Sequence, residues 1–127
     1  MESLILDCDP GHDDAVAILL AAGNPRLNLL GITTVAGNQT LQKVTRNALA
    51  VCAQAGIRVP VAAGAAGPLV RPQLTAGEIH GTSGLDGPVL REPAFELDPR
   101  PAAQFIVDTV MAQPPATVHL VPIGPLT

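Results

Sequence analysis

Aromatic residues are nearly absent from this chain: they make up 2% of it, with no tryptophan and no tyrosine. The platforms on which single-stranded bases stack are therefore missing. Basic residues are also few. Seven Lys and Arg stand against eleven Asp and Glu, a net charge of −4, which excludes the basic face of a phosphate-backbone binder. Nucleic acid is not an expected partner. Long apolar runs are lacking too, the longest being Ala15 to Ala22, far short of the roughly 20 residues of a membrane span. The N-terminus has neither a basic n-region nor a long apolar h-region, so neither a membrane nor a signal peptide is expected. The two cysteines, Cys8 and Cys52, form no CxxC pair, which fits a reducing compartment and a cytoplasmic location. Charged residues make up 14% and hydrophobic residues 47% of 127 residues, the profile of one core-rich domain.

What the chain does have is carboxylate in one place. Asp7-Cys8-Asp9-Pro10-Gly11-His12-Asp13-Asp14 holds four aspartates in eight residues, where an apolar strand (Leu4-Ile5-Leu6) gives way to an apolar helix. Close carboxylates raise one another's pKa and cannot all stay ionised without a counter-charge. The helix N-terminus supplies part of it through its free N–H groups and dipole, which Asp13 and Asp14 can use. The rest suggests a hard cation, calcium or magnesium, on oxygen ligands. The plain alternative is a doubly capped helix with spare surface acids. Among these carboxylates Cys8 reads as a packed thiol, not a reactive one.

Periodicity places the remaining elements. A helix from Asp14 to Ala22 stops at Gly23-Asn24-Pro25, and Leu29 to Val35 form a second strand. From Thr40 to Ala55, Leu41, Val44, Ala48, Val51 and Ala55 recur at helical spacing, and Gly56 closes the helix. Val59 to Ala62 read as a third strand, at an edge or a strand start because of Pro60. Residues 64–99 keep no period and read as a long functional loop. Asp98-Pro99 are expected to cap a third helix running through Met111, with Phe105, Ile106, Thr109 and Val110 facing inward. Thr117 to Val121 make a fourth strand, in which His119 reads as structural. The pattern is α/β, an open, mostly parallel Rossmann-like sheet with flanking helices. The polar segments after its strands then converge on the carboxyl-end edge, where ligands of such sheets bind. No helix follows the fourth strand, so the domain reads as truncated there.

Asp7 to Ala15 closely resembles the N-terminal signature of the inosine–uridine preferring nucleoside hydrolases. Val35-Ala36-Gly37-Asn38-Gln39-Thr40-Leu41, Ile79-His80-Gly81-Thr82-Ser83-Gly84-Leu85-Asp86-Gly87-Pro88 and Val121 to Thr127 resemble later segments of that family, in the same order. The resemblance implies the N-terminal portion of a single nucleoside hydrolase domain, about two-fifths of a typical member. It implies calcium-dependent hydrolysis of the N-glycosidic bond of a small-molecule ribonucleoside, in a homodimer or homotetramer. By the same resemblance Asp9 is a calcium ligand and the base that takes a proton from water. Asp14 and the backbone carbonyl of Thr127 are further ligands, and Asp7 supports the metal site. Asp13 and Asn38 hold the ribose, and His80 lines the nucleobase side. His12 together with Leu85 to Pro88 looks most like the pyrimidine-preferring bacterial enzymes acting on uridine and cytidine.

Other readings of the residues stay open. The alternatives are a non-specific purine/pyrimidine hydrolase and an inactive metal- or ribose-binding fragment, since a distant aspartate ligand of the family has no counterpart here. A haloacid-dehalogenase-type phosphatase is disfavoured, because Gly11 stands where Thr or Val is needed and the sole lysine, Lys43, is read as mid-helix. Asn38 can be a turn former, His80 a loop histidine, His12 a local hydrogen-bonding group, and Asp86 a turn former.

Overall fold

The computed structural model describes residues 1–93 and 95–127. In chain order the elements are β1 (Glu2–Cys8), α1 (His12–Gly23), β2 (Leu27–Thr34), α2 (Leu41–Ala55), β3 (Val61–Ala63), α3 (Gly77–His80), α4 (Ala102–Met111) and β4 (Val118–Pro122). The four strands lie in the order β3-β2-β1-β4, and every pairing is parallel. β3 is an edge strand beginning just after Pro60, whose carbonyl accepts the Ile32 N–H at 2.9 Å, so the position inferred from Pro60 holds.

Alternation along β1 sorts the core into two layers. Leu4, Leu6 and Cys8 pack with Ile18 and Ala21 of α1 and with Ala48, Val51 and Cys52 of α2. On the other face Ile5 meets Ala62 and Phe105 of α4. A register shift between Leu4 and Ile5 sets Ile5 opposite Gly31 of β2. There the Phe105 ring lies where a side chain would stand: a Cβ on Gly31 would be 2.7 Å from Phe105 Cε1. The missing side chain is thus what lets α4 close on the sheet.

α2 keeps its expected limits, with Thr40 as N-cap, its hydroxyl accepting the Lys43 N–H, and Gly56 as C-cap in the left-handed region at φ 68°, a conformation that favours glycine. Other expectations need correction. α4 begins at Ala102 behind Pro101, with no side-chain cap. Asp98 instead accepts three hydrogen bonds from Arg100, one from its backbone N–H at 3.0 Å and two from its guanidinium at 2.9 and 2.8 Å. Ala102 and Phe105 are its buried residues, while Val110 is exposed, because a ten-residue helix lying on one sheet face buries a narrower stripe than its apolar sequence offers. The loop read across residues 64–99 contains the short α3. Lys43 sits in the first turn of α2, not mid-helix, and its ammonium donates to the Thr82 carbonyl at 2.6 Å. His119 is exposed and pairs with Glu2 at 3.1 Å.

The Arg100 guanidinium holds the Asp98 carboxyl down to about 2. A depressed carboxyl pKa contributes stability that is present above the ordinary value near 4 and lost as pH falls through the folded value. Unfolding free energy measured from pH 5 to pH 2 should therefore fall less steeply in Asp98→Asn than in the unsubstituted chain. Equal slopes would show that the pair contributes nothing.

Candidate active site

Every strand delivers its carboxyl end to one edge, and the acidic turn forms there because β1 runs out at Cys8. Pro10 and Gly11 reverse the chain, and α1 starts at His12. The N-cap of α1 is Gly11, which contributes no side-chain cap. Asp13 and Asp14 occupy the first turn, but only Asp13 faces solvent. Asp14 is buried and turns back over the loop, where its Oδ2 accepts the Asp9 N–H at 2.9 Å. The doubly capped helix is therefore not what forms.

Asp9 is 7% exposed and Asp14 4%. Burial pushes the Asp14 carboxyl up to about 7, and the negative charges of Asp9 and then Asp13 add to the rise against the opposing Asp9 N–H. Among the described residues no Lys, Arg or His forms an ion pair with either carboxylate. Two buried acidic groups thus share the turn without a counter-charge among the described residues.

Neighbouring loops close around Asp9. The Asn38 N–H donates to Asp9 Oδ2 at 2.8 Å, and the Asn38 side-chain amide donates to the Asp9 carbonyl at 2.9 Å. A Cβ on Gly37 would overlap Asp9 Oδ2, and one on Gly124 would stand 2.9 Å from Oδ1. The loops after β1, β2 and β4 therefore meet at this carboxylate, and glycine at both approaches leaves its oxygens room.

Asp7 makes a contact of its own. Its Oδ1 accepts the Thr33 hydroxyl at 2.6 Å, and burial raises its carboxyl despite this bond. Asp7 and Thr127 together line a cavity of about 390 Å³ beside the start of α4. Neither Asp9 nor Asp14 is in its wall. Cys8 is fully buried, as expected of a packed thiol. Its Sγ donates to the Thr33 carbonyl at 3.5 Å, and burial, followed by the charge of Asp14, raises its pKa.

α3 brings His80 against the acidic turn, with its ring lying on Gly11. The rings of His80 and His12 stack with centroids 5.5 Å apart. Asp86 caps the turn beneath them, accepting the Thr82 and Ser83 N–H groups at 3.0 Å and the Ser83 hydroxyl, which hold its carboxyl below the ordinary range. Its reading as a turn former holds. Asn47 was not among the expected site residues. Buried in α2, its amide donates to the carbonyls of Pro10 at 3.1 Å and Ser83 at 2.9 Å, tying the acidic turn to the His80 loop. Its only trace in the sequence is an asparagine beside the apolar positions Val44, Ala48 and Val51.

A sequence model described as inosine-uridine preferring nucleoside hydrolase matches residues 4–127. The chain belongs to that family. This nucleoside hydrolase chain is 52% identical over 124 residues to the pyrimidine-specific ribonucleoside hydrolase RihB of Escherichia coli K12, covering 98% of the chain and 39% of RihB. The RihB of Shigella sonnei matches to the same extent. Among solved structures, a purine-preferring ribonucleoside hydrolase from Gardnerella vaginalis superposes with a TM-score of 0.91 at 32% identity, over 99% of the chain and 41% of that protein. The plant nucleoside hydrolase PpNRh1 gives 0.88 at 31%, over 99% and 40%. The chain thus spans about two-fifths of the length of its relatives, and the α/β fold read from the sequence is theirs. No described helix of the nucleoside hydrolase chain is long and apolar enough to cross a membrane.

Proposed function

We propose that this chain carries the acidic edge of a calcium-dependent ribonucleoside hydrolase that favours uridine and cytidine. The observation that carries this reading is the buried Asp9–Asp14 pair, without a protein counter-charge, at the strand-end edge of a nucleoside hydrolase fold. Among the described residues no three His, Cys, Asp or Glu form a metal-holding group, so the pair is only part of a coordination shell. Its fit to calcium rests on donor chemistry: both residues offer only oxygen, in a turn whose charge a hard cation would neutralise. Asp9 and Asp14 would hold the cation, with the Thr127 carbonyl as a further donor and Asp7 in support. Bound there, calcium would position a water and make it more acidic.

Asp9 would take a proton from the water that attacks C1 of the ribose. The C1–O bond forms, the bond from C1 to the base nitrogen breaks, and the base leaves with the electron pair. Asn38 keeps Asp9 aimed, since its backbone N–H and its side-chain amide each donate to that residue. Asp13 and Asn38 bind ribose hydroxyls, and His80 lines the nucleobase side. The preference for pyrimidines follows RihB at 52% identity. The backbone alone supports no choice of base, because a purine-preferring enzyme superposes on 99% of the chain with a TM-score of 0.91. A cytoplasmic homodimer or homotetramer is part of the same proposal.

The test is ribose release from uridine, cytidine and inosine by two proteins: this chain, and this chain fused to the remaining three-fifths of Escherichia coli RihB. We expect the fusion to release ribose from uridine and cytidine faster than from inosine, and a calcium chelator to stop it. The chain alone is expected to be inactive. Chelator-insensitive release would overturn the calcium assignment. No release by the fusion would overturn the hydrolase reading in favour of a metal- or ribose-binding fragment.

A further inference from the structure

We infer that Gln39, Lys43 and Asn47 form a ladder of positioning residues that holds His80 against the acidic turn; the consequence for substrate rests on the hydrolase reading above, but the ladder itself does not. The three residues stand four apart. Gln39 precedes the Thr40 cap of α2, Lys43 lies in its first turn and Asn47 about one turn further on, a spacing that keeps them on one side of the helix. Each side chain donates to a carbonyl of the loop after α3, and the three carbonyls are consecutive. Gln39 Nε2 reaches Gly81 at 3.2 Å, Lys43 Nζ reaches Thr82 at 2.6 Å, and Asn47 Nδ2 reaches Ser83 at 2.9 Å. Gly84 closes the contact at φ 84°, where a Cβ would stand 3.0 Å from Gln39 Cγ and 3.2 Å from Asn47 Nδ2.

The helix alone explains none of the three. A lysine in a first turn puts its charge at the positive end of the helix dipole. Gln39 and Asn47 are buried, where an amide is costly unless it is hydrogen-bonded. The loop answers for all three. Its N–H groups are satisfied separately, those of Gly81 and Gly84 by nearby carbonyls and those of Thr82 and Ser83 by Asp86. The carbonyl side is what the ladder holds. His80 comes just before the gripped carbonyls, and its ring lies on Gly11. Asn47 also donates to the Pro10 carbonyl at 3.1 Å, so the ladder grips both sides of the His80–Gly11 contact. It thereby sets how close the histidine stands to the acidic turn. Residues acting in this way govern how well the base is held, not the proton transfer at Asp9. Losing a rung should raise KM for uridine more than it lowers kcat.

Lys43→Met tests the ladder at its least buried rung, keeping the apolar stem and removing the donor. NMR of the chain reads the outcome without any activity. Amide exchange at Thr82 and Ser83 is expected to rise about tenfold, with Ile18 of α1 unchanged. The Overhauser contact between the His80 ring and Gly11 should weaken. Lys43→Arg, which restores a donor, should recover both. In the RihB fusion, Lys43→Met is expected to raise KM for uridine by about tenfold, with kcat changed less. Unchanged exchange at Thr82 and Ser83, or an undiminished His80–Gly11 contact, would overturn the inference. So would an equal rise at Ile18, which would mean that the whole fold had loosened. A lower kcat at unchanged KM would overturn the role in substrate binding. An unsubstituted fusion that fails to release ribose, with the expected exchange pattern present in the chain, would sink the hydrolase reading alone.

Discussion

Asp9→Asn in the RihB fusion is expected to lower kcat for uridine by roughly a hundred- to ten-thousand-fold, the usual contribution of a positioned base, without lowering thermal stability. The substitution keeps the shape of the side chain. Its remaining carbonyl oxygen can still accept the Asn38 N–H, which reaches Asp9 at 2.8 Å. What it removes is one of two buried negative charges. Burial drives the Asp14 carboxyl up and Asp9 adds to the rise, so the neutral substitution relieves repulsion within the turn. Activity and stability should therefore move apart: turnover collapses while the metal-free melting temperature holds or rises. Turnover within tenfold of the unsubstituted fusion would remove Asp9 from the role of base. A large fall in melting temperature would mean that Asp9 serves the fold first.

Phe105→Ala is expected to cost about 3–5 kcal/mol of folding stability, the range for emptying a buried aromatic site. Phe105 is 2% exposed and anchors the whole α4 layer through Ile5 and Ala62. Its ring also carries the Arg100 guanidinium, 5.0 Å from the centroid. Against a typical stability of about 5–15 kcal/mol, this loss would leave α4 poorly held. Urea unfolding read by circular dichroism measures it, and a loss below about 1 kcal/mol would contradict the packing described. The opposing strand gives a control. Gly31→Ala should overpack the same contact by about 1–3 kcal/mol, and most of that cost should vanish in a Phe105→Leu background. Additive effects would show that the two residues do not share the contact.

Much of this was legible in the sequence because it was written locally. The α2 helix from Thr40 to Gly56 carries its apolar period, a capping threonine and a closing glycine within one stretch. The four strands and the convergence of their ends followed from order alone. The acidic turn announced itself through charge density, and in it the Asp14 carboxylate accepts the Asp9 N–H. What stayed hidden depends on residues far apart in the chain. Gly31 looks like a flaw in a strand until Phe105, 74 positions later, fills its place. Asp98 reads as a helix cap by its position before a proline, yet Arg100 two residues on competes for its carboxylate and wins with a charge-assisted bond. His12 reads as a local hydrogen-bonding group, whereas its partners are at positions 80 and 86. The α3 turn has only four residues, too few for any periodicity to register.

The order of strands has a kinetic side. β1 is made first but lies inside the sheet, between β2 and β4. Its pairing with β2 needs only the first 34 residues, whereas its other edge waits for Val118 to Pro122. Closing so long a loop is slow. Until it closes, a strand bearing Leu4, Ile5 and Leu6 shows a free hydrogen-bonding edge to any neighbouring chain. The segment that ends this exposure also brings Gly124 against Asp9. During synthesis, then, the window of aggregation risk and the wait for Gly124 to meet Asp9 end in the same event.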